Sequence, residues 1–371
     1  MKLIRLASTV LGFFLFLAAP QHTIAKTYAY FIGSEGGVAK LDTDTNTIAS
    51  LKLKIPTNVS MDAVLAADTV NNHLFIAHCV RLGPCKVGVY SLKTLDFIKE
   101  LSLVSSRADI QMLIYPDGSG FLINYLLAGS GDKEGGYTID LYDAKTLVEK
   151  RNLQTFFGMK EVMFSADGKK IYSVIGGDDA RADIIDSTTF QVLTSRDLTQ
   201  IWRKDVFVSD IEDFVNGKIV ISEDLKTERS LPDKLDFYVY DIVTGATSPK
   251  ISTGLQGNLM LHVDGARIIL DETQDIRQAL GGKSRYIGYR SLGRMHIYDV
   301  ATGKELRTIS FKAQGRGNIR GIRPAGDRLY YESEGLTKDT TNITVIDIKN
   351  YQVLTTISLP FKPLTMIFFE Q

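Results

Sequence analysis

Short apolar and β-branched runs recur along almost the whole chain, and brief polar stretches rich in Gly, Asp and Asn separate them. The run from Lys170 to Ile175, for example, follows the turn sequence Ala-Asp-Gly at positions 166–168. A periodicity of 3.6 residues, which an amphipathic helix would show, is not sustained anywhere in the sequence. The pattern therefore predicts an all-β protein built from many short strands.

One unit of this pattern occurs seven times. In each copy a β-rich run ends at an Asp, or in one copy at a Ser, and a polar turn leads into a second β-rich run. The residues that end these runs are Asp42, Ser91, Asp143, Asp186, Asp241, Asp299 and Asp347, at steps of 49, 52, 43, 55, 58 and 48 residues. Seven copies spaced near fifty residues are typical of a propeller with four strands in each blade.

A second kind of turn lies between successive copies. These turns contain Gly or Asn and fall at 71–72, 116–118, 166–168, 215–217, 263–265 and 325–327. Asp-Gly and Asn-Gly accept the positive φ that tight hairpin turns require. Each unit therefore supplies four antiparallel strands, named a, b, c and d from the axis outward.

The two ends of the chain complement each other. Before the first copy there is room for one strand only, Tyr28–Ile32, and one strand, Leu364–Phe369, is left over after the last copy. The C-terminal strand can serve as strand a of the blade whose other strands come from the N-terminus, which hides edge groups that invite aggregation. We predict a seven-bladed β-propeller closed in this way. Two stacked β-sandwiches would not explain the regular spacing.

The last repeat, Asn342–Asp347 followed by Val353–Pro360, resembles the repeat of YVTN-type seven-bladed propellers. The fold is also similar to that of the propeller subunit of quinoprotein amine dehydrogenases. The resemblance covers nearly the whole mature chain, but it implies an architecture and no reaction, because propellers host unrelated activities. If the second resemblance extends to function, the chain is a non-catalytic subunit, and a separate chain carries the cofactor.

The N-terminus has the layout of a secretory signal peptide. A basic start, Met1–Arg5, precedes an apolar stretch from Leu6 to Ala19, and small residues lie near Ala25. We predict a signal peptide over 1–25, a propeller over 26–371, and a periplasmic or secreted protein. An uncleaved anchor and cleavage after Ala19 are the alternatives. No later segment holds 18 consecutive apolar residues, so we expect no membrane span in the mature chain.

Export gives meaning to the two cysteines, Cys79 and Cys85. Gly83-Pro84 between them supplies a turn, so the thiols can meet across a small loop in an oxidising compartment. We predict a disulfide, with two free thiols as the alternative. A metal site that uses His78 and Cys79 would need two further ligands, which are not visible nearby.

Composition excludes several functional classes. The sequence is 44% hydrophobic and 23% charged, which argues against a disordered chain and a polytopic membrane protein. Lys+Arg and Asp+Glu are both 43, so the net charge indicates neither a nucleic-acid nor a membrane partner. There are five His, and the sequence contains no haem-attachment motif, Gly-x-Ser-x-Gly elbow or phosphate loop. We predict no catalytic residue, no metal and no cofactor.

Long connections point to one working face. In a four-stranded blade the b–c and d–a connections emerge on one side of the disc. Here the b–c connections are long, and long loops on a rigid scaffold are where binding usually lies. Cations and one Trp from several repeats fall on the d–a connections: Arg107, Lys160, Trp202, Arg203, Arg316, Arg320 and Lys362. Converging cations would attract an anionic ligand or an acidic protein partner. The alternative is scattered solvated charges, some of them paired with acids close in sequence.

Charge is also uneven around the ring. The segment 276–323 carries 11 Lys/Arg and two acids, and the segment 205–241 carries 10 acids and four Lys/Arg. Basic and aromatic residues alternate in the longest predicted loop, as in Arg285, Tyr286, Tyr289 and Arg290. This composition could clamp an anion or single-stranded nucleic acid. Docking of the basic sector on its acidic neighbour explains it equally well.

Overall fold

The structure is a computed structural model that describes residues 26–33, 37–51, 64–79, 85–103, 106–127, 137–155, 161–175, 180–199, 211–223, 235–275, 289–313, 317–334 and 340–370. Within these ranges every regular element is a β-strand. The strands form seven separate four-stranded sheets, which are the blades of the propeller. No helix in the described ranges is long and apolar enough to cross a membrane.

Each blade is formed by four strands that follow one another in the chain, except blade 1. Blade 1 contains β1 (Thr27–Gly33), β2 (Val38–Asp42), β3 (Thr47–Leu51) and, on its inner side, β28 (Pro363–Glu370). Blade 2 contains β4 (Val64–Asp68), β5 (His73–Cys79), β6 (Cys85–Ser91) and β7 (Phe97–Ser102). Blade 3 contains β8 (Ser106–Ile114), β9 (Gly120–Leu127), β10 (Tyr137–Asp143) and β11 (Glu149–Thr155).

The remaining four blades repeat this arrangement. Blade 4 contains β12 (Glu161–Phe164), β13 (Lys170–Ile175), β14 (Arg181–Asp186) and β15 (Val192–Asp197). Blade 5 contains β16 (Ile211–Val215), β17 (Lys218–Glu223), β18 (Asp236–Asp241) and β19 (Ile251–Ser252). Blade 6 contains β20 (Gly257–Leu261), β21 (Arg267–Asp275), β22 (Tyr289–Asp299) and β23 (Glu305–Ser310). Blade 7 contains β24 (Gly317–Ile322), β25 (Arg328–Glu334), β26 (Thr341–Asp347) and β27 (Gln352–Leu359).

The ring is closed, as the sequence predicts. The innermost strand of each blade contacts the innermost strands of both neighbouring blades. In blade 1 this strand is β28, which pairs antiparallel with β1 and places Tyr28 opposite Phe369. The ring of Phe369 is buried and stacks on Tyr30, with 4.9 Å between the two ring centroids. The last strand of the chain therefore supplies the inner edge of the first blade.

The hydrophobic core lies between the blades. Because side chains alternate along a strand, each sheet buries both of its faces against its two neighbours. In β25, Tyr330 packs toward blade 1 with Phe31, whereas Tyr331 packs toward blade 6 with Ile269 and Ile297. Both tyrosines are fully buried. The stability of the ring therefore depends on contacts between neighbouring blades.

Two strand lengths depart from the sequence expectation. The sequence predicts a loop from Asp271 to Arg294. In the structure both ends of this segment are strand, because β21 and β22 continue beyond a β-bulge and pair Thr273 with Ser291. Tyr289 and Arg290, expected in this loop, therefore lie on β22. In blade 5, by contrast, one strand is shorter than expected. Its outer strand β19 has only two residues, because Pro249 lacks the N–H that a longer edge strand would use.

Candidate functional site

The two sides of the disc differ in the length of their connections. We call the side with the a–b and c–d turns the turn face, and the side with the b–c and d–a connections the loop face. On the turn face, β17 follows β16 after two residues, 216–217. On the loop face, the chain between β21 and β22 spans 276–288, and that between β15 and β16 spans 198–210. The longest connections therefore lie on the loop face, as predicted, although others on that face, such as 103–105 and 360–362, are as short as the turns.

The Asp that marks each repeat caps a c–d turn. Asp143 Oδ1 accepts hydrogen bonds from the N–H groups of Lys145, at 3.1 Å, and Thr146, at 2.8 Å. The other six marking residues accept at least one N–H in the same way. These donors hold the pKa of Asp143 and that of Asp186 below the usual range. The repeated Asp thus has a structural function, which explains its regular spacing.

Polar side chains join every pair of neighbouring blades on the turn face. One such bond at each seam runs from a side-chain donor to a backbone carbonyl: Tyr30 to Leu92, Asn71 to Gly118, Tyr115 to Ser187, Arg196 to Ile242, Lys218 to Gly265, His262 to Gly326 and Arg328 to Thr43. Most are 2.6–3.1 Å long. The polar groups of this face therefore hold the ring together.

Replacing Arg196 by Met tests this role. Arg196 donates to the carbonyl oxygens of Ile242, at 2.7 Å, and Val243, at 2.6 Å, across the seam between blades 4 and 5. Met keeps most of the volume and removes both bonds, so we expect the free energy of unfolding to fall by about 1–3 kcal/mol. Chemical denaturation measures it. Lys304→Met, at an exposed turn position, is the control. Equal stability of the two variants would contradict the bracing role.

The predicted binding residues are only partly within the described structure. Lys160, Trp202, Arg203 and Arg316 lie outside the described residues. Arg107 lies in β8, one residue after its loop-face end. Arg320 lies in β24, and Lys362 lies in the connection that leads into β28. The sequence predicts all three on d–a connections, but only Lys362 lies on one, because β8 and β24 begin before Arg107 and Arg320. All three belong to innermost strands or their entries, so they lie near the axis of the ring.

The structure brings Arg320 and Lys362 together. Arg320 forms an ion pair with Glu332 on the neighbouring strand β25. It also donates a hydrogen bond of 3.1 Å to the carbonyl oxygen of Pro363, which directly follows Lys362. Arg320 therefore braces blade 7 against blade 1, and Glu332 balances its charge. Lys362 is exposed at the same place.

The buried carboxyl group of Asp271 in blade 6 was not identified from the sequence. It faces blade 7 in the half of the blade nearer the loop face. Asp271 is fully buried and accepts a hydrogen bond of 3.0 Å from the hydroxyl of Ser291. Within the described residues, neither Asp271 Oδ2 nor the hydroxyl of Tyr331 has a hydrogen bond of good geometry. Burial raises the pKa of Asp271 to about 7, and the nearby charge of Glu272 adds to this effect.

The same burial acts on Tyr331. Its pKa is raised first by burial and then by the charge of Asp271. A Cβ atom added at Gly317 would lie 1.8 Å from the Tyr331 hydroxyl, so this backbone approach requires glycine. In sequence, the only sign of the cluster is an acid directly after the apolar run Ile268–Leu270. That sign is equally typical of a strand end.

Metal ligation has no support in the described part of the chain. No group of three His, Cys, Asp or Glu side chains there could hold a metal ion. His296 illustrates why, since its Nδ1 and Nε2 atoms each lie 3.1 Å from a carboxylate, of Glu305 and Glu272 respectively. The two acids thus occupy opposite sides of the imidazole and cannot converge on one ion. The sequence also has two pairs of adjacent acids in predicted b–c loops, at 178–179 and 223–224, whose oxygens could bind Ca²⁺. The first pair lies wholly, and the second partly, outside the described residues.

Comparison with solved structures places the chain in a class. It is similar to the dihydro-heme d1 dehydrogenase NirN in complex with DHE, with a TM-score of 0.53 and 12% identity over 92% of this chain and 75% of that chain. It is similar to the hydrazine synthase of Kuenenia stuttgartiensis, with a TM-score of 0.52 and 14% identity over 90% of this chain and 95% of that one. It is also similar to the Pan2 WD40 domain of Neurospora crassa, with a TM-score of 0.51 and 12% identity over 84% of this chain and 87% of that one.

These likenesses show the fold alone, because the identities are 12–14%. The chain is a seven-bladed β-propeller. No family profile matches the sequence, and no curated protein matches it significantly. The resemblance to YVTN-type propellers therefore stays an expectation.

Proposed function

We propose that the protein is an exported binding propeller that recognises a protein partner or an anionic ligand through its loop face. The observation that carries the proposal is the difference between the two faces. At every seam, at least one hydrogen bond between blades uses polar groups of the turn face. The longest connections emerge on the other face, where a rigid scaffold positions them for recognition.

An anionic ligand is supported by the positions of the described cations. Arg107 and Lys362 lie at or near the loop-face ends of the innermost strands of blades 3 and 1. Arg320, which binds the carbonyl of Pro363, contributes less because Glu332 balances its charge. Basic groups around one opening raise the local concentration of anions. The other members of the proposed site are Lys160, Trp202, Arg203 and Arg316. Binding of single-stranded nucleic acid is a special case of this prediction.

Charge reversal on each face tests the site. We expect Lys160→Glu, Arg203→Glu and Lys362→Glu together to weaken binding of a polyanion such as heparin at least tenfold in low salt. Binding to the native protein should fall as salt rises, because exposed charges are screened. The control changes three turn-face lysines, Lys93, Lys145 and Lys304, to Glu, which gives the same net charge. Fluorescence titration measures both. Equal losses in the two variants would refute a loop-face site.

Export and the disulfide form one further prediction. Cys79 lies directly opposite Cys85 in the pairing of β5 and β6, a position in which two thiols can bond. We expect the protein purified from the exported fraction to begin at Lys26, with a mass two hydrogens below that of its reduced form. Intact-mass spectrometry before and after reduction measures both. Cys85→Ser is the control, since its mass should not change on reduction. An N-terminus at Met1 would refute the export proposal.

A place in a quinoprotein amine dehydrogenase-like complex remains an alternative from the sequence. No observation in the described residues favours it. Co-purification of the native exported protein with a quinone-bearing chain would favour this function over the present proposal.

A further inference from the structure

A cleft of about 370 Å³ opens on the turn face between blades 5 and 6. Its walls include Lys218, Asp241 and Ser248 of blade 5, and Ala266, Asp299 and Ala301 of blade 6. This volume is in the range of small-ligand sites. The seam between blades 3 and 4 has a smaller cleft of about 200 Å³ at the corresponding place.

At three other seams, those that follow blades 2, 3 and 6, a basic side chain fills this place. In these blades, strand d carries a basic residue that reaches the c–d turn of the next blade. This residue lies opposite the strand-c residue that is two positions before the capping Asp or Ser. Lys99 Nζ donates to Leu147 O at 3.1 Å. The guanidinium groups of Arg151 and Arg307 lie over Phe190 and Tyr351, at 5.7 and 5.9 Å from the ring centroids.

Blade 4 places its basic residue two positions later in strand d. Arg196 donates to Ile242 O and Val243 O, the two carbonyls that follow the capping residue Asp241. A guanidinium group thus binds directly to the c–d turn of blade 5. Within this protein, a basic side chain on the turn of the next blade is a recurrent way to close a seam.

Blade 5 has no basic residue at the first of these two positions. At the second, the position of Arg196, it has Lys250, which forms an ion pair of 3.1 Å with Asp236 of its own blade. The first position is Ser248, whose N–H donates to Val239 O, and Pro249 follows it. Strand d is reduced to β19 beyond this point. The small side chains of Ala266 and Ala301 on the opposite wall leave the space unfilled.

The inner side of the same seam also lacks a filling side chain. Blade 3 has five residues, 115–119, between strands a and b, and the first of them, Tyr115, donates to Ser187 O in the next c–d turn. Blade 5 has only Asn216 and Gly217 there. The two described side-chain bonds across this seam, from Asn216 and Lys218, end on the a–b turn of blade 6.

The charge of the cleft suits a cation. Asp241 and Asp299 border it, and each uses Oδ1 to accept N–H groups of its own turn. Lys218 is the one cation in the lining, and its Nζ donates to Gly265 O at 3.1 Å. One negative charge is therefore left over. Val300 and Ala301 line the cleft, and their carbonyls correspond in position to those that Arg196 binds on blade 5.

We propose that the cleft between blades 5 and 6 binds a guanidinium group from a ligand. This group takes the place that the protein's own basic side chains fill at other seams. Its N–H groups donate to Val300 O and Ala301 O, and the carboxylates of Asp241 and Asp299 balance its charge. Arginine is favoured over lysine because its planar fork reaches two neighbouring carbonyls at once. The site is on the turn face, so it is independent of the proposed loop-face function.

Calorimetric titration with N-acetyl-L-arginine amide tests the proposal. We expect saturable binding of this probe and none of the neutral isostere N-acetyl-L-citrulline amide. Ser248→Arg supplies the missing basic residue, and we expect it to abolish binding and to raise the melting temperature. Thr355→Arg is the matched control, because Thr355 occupies the same strand-d position in blade 7. It should bind the probe like the native protein.

A second variant separates charge from folding. Asp299→Asn keeps the Oδ1 acceptor for Thr302 N–H and removes the charge, so we expect binding to weaken about fivefold. The loop-face charge-reversal variant should bind the arginine probe normally. No binding of this probe, equal binding of the citrulline probe, or unchanged binding by Ser248→Arg would each overturn the proposal.

Discussion

A chain that ends at Pro360 is expected to lose the cooperative unfolding of the ring. The truncation removes β28, the inner strand of blade 1, and leaves one edge of β1 without its partner. It also removes Phe369 from the cluster that holds Tyr30 and Ile76 between blades 1 and 2. Since each blade is stabilised by its two neighbours, an open ring has two exposed blade faces. We expect the melting temperature to fall by about 10 °C or more, measured by calorimetry.

Single substitutions refine this test. Phe369→Ala keeps β28 and removes one buried ring, so we expect the free energy of unfolding to fall by about 3–5 kcal/mol. Leu354→Ala is the control, because Leu354 is 45% exposed on the outer strand of blade 7; we expect a change below about 0.5 kcal/mol. A truncated chain that melts like the full chain would be incompatible with closure by β28.

Replacing Asp271 by Asn should remove a pH-dependent loss of stability. Burial raises the pKa of Asp271 to about 7 in the folded protein, whereas an unfolded Asp titrates near pH 4. Between these two pKa values, the folded state therefore holds the proton of Asp271 more tightly than the unfolded state does. The stability that this group contributes is complete below about pH 4 and is lost as pH rises toward 7. Asn is neutral throughout. At pH 8 we expect the variant to be more stable by up to about 4 kcal/mol.

Urea unfolding at pH 4.5, 6 and 8 measures the effect. At pH 4.5 the variant and the native protein should have similar stability, since Asp271 is then protonated and neutral. Asp347→Asn is the control. Hydrogen bonds from Asn350 and Lys349 help to hold the pKa of Asp347 below its usual value, so its contribution is lost as pH falls, which is the opposite sign. Parallel pH profiles for native protein and Asp271→Asn would contradict the assignment.

The fold could be predicted from the sequence because its signals are local and repeated. The capping residues, such as Asp143 and Asp186, accept N–H groups two and three positions later, so each turn needs the same short pattern. The left-handed residue of the a–b turns is likewise visible, as at Gly118, with φ of 69°. Ring closure then follows from counting strands. No long-range contact has to be known in advance.

The candidate sites could be predicted less well than the fold, because they depend on contacts between blades. Asp271 follows an apolar run, but Tyr331, which lies beside its carboxyl group, comes sixty positions later in blade 7. The cleft beside Ser248 is visible only when the strand-d positions of neighbouring blades are compared, and β19 is too short to align from sequence. The ion pair of Arg320 with Glu332 could not be predicted either, because the sequence does not show which residues of the two strands lie opposite each other.

The pairing of β1 with β28 also constrains how the molecule is made. The strand that completes the sheet of residues 27–33 lies at 363–370, and the strands of all the other blades lie between them in the chain. Blades 2 to 7 are each formed from consecutive strands and can form locally, whereas blade 1 keeps an uncovered edge until this distant contact is made. During folding the free edge of β1 is therefore open to edge-to-edge association with another chain.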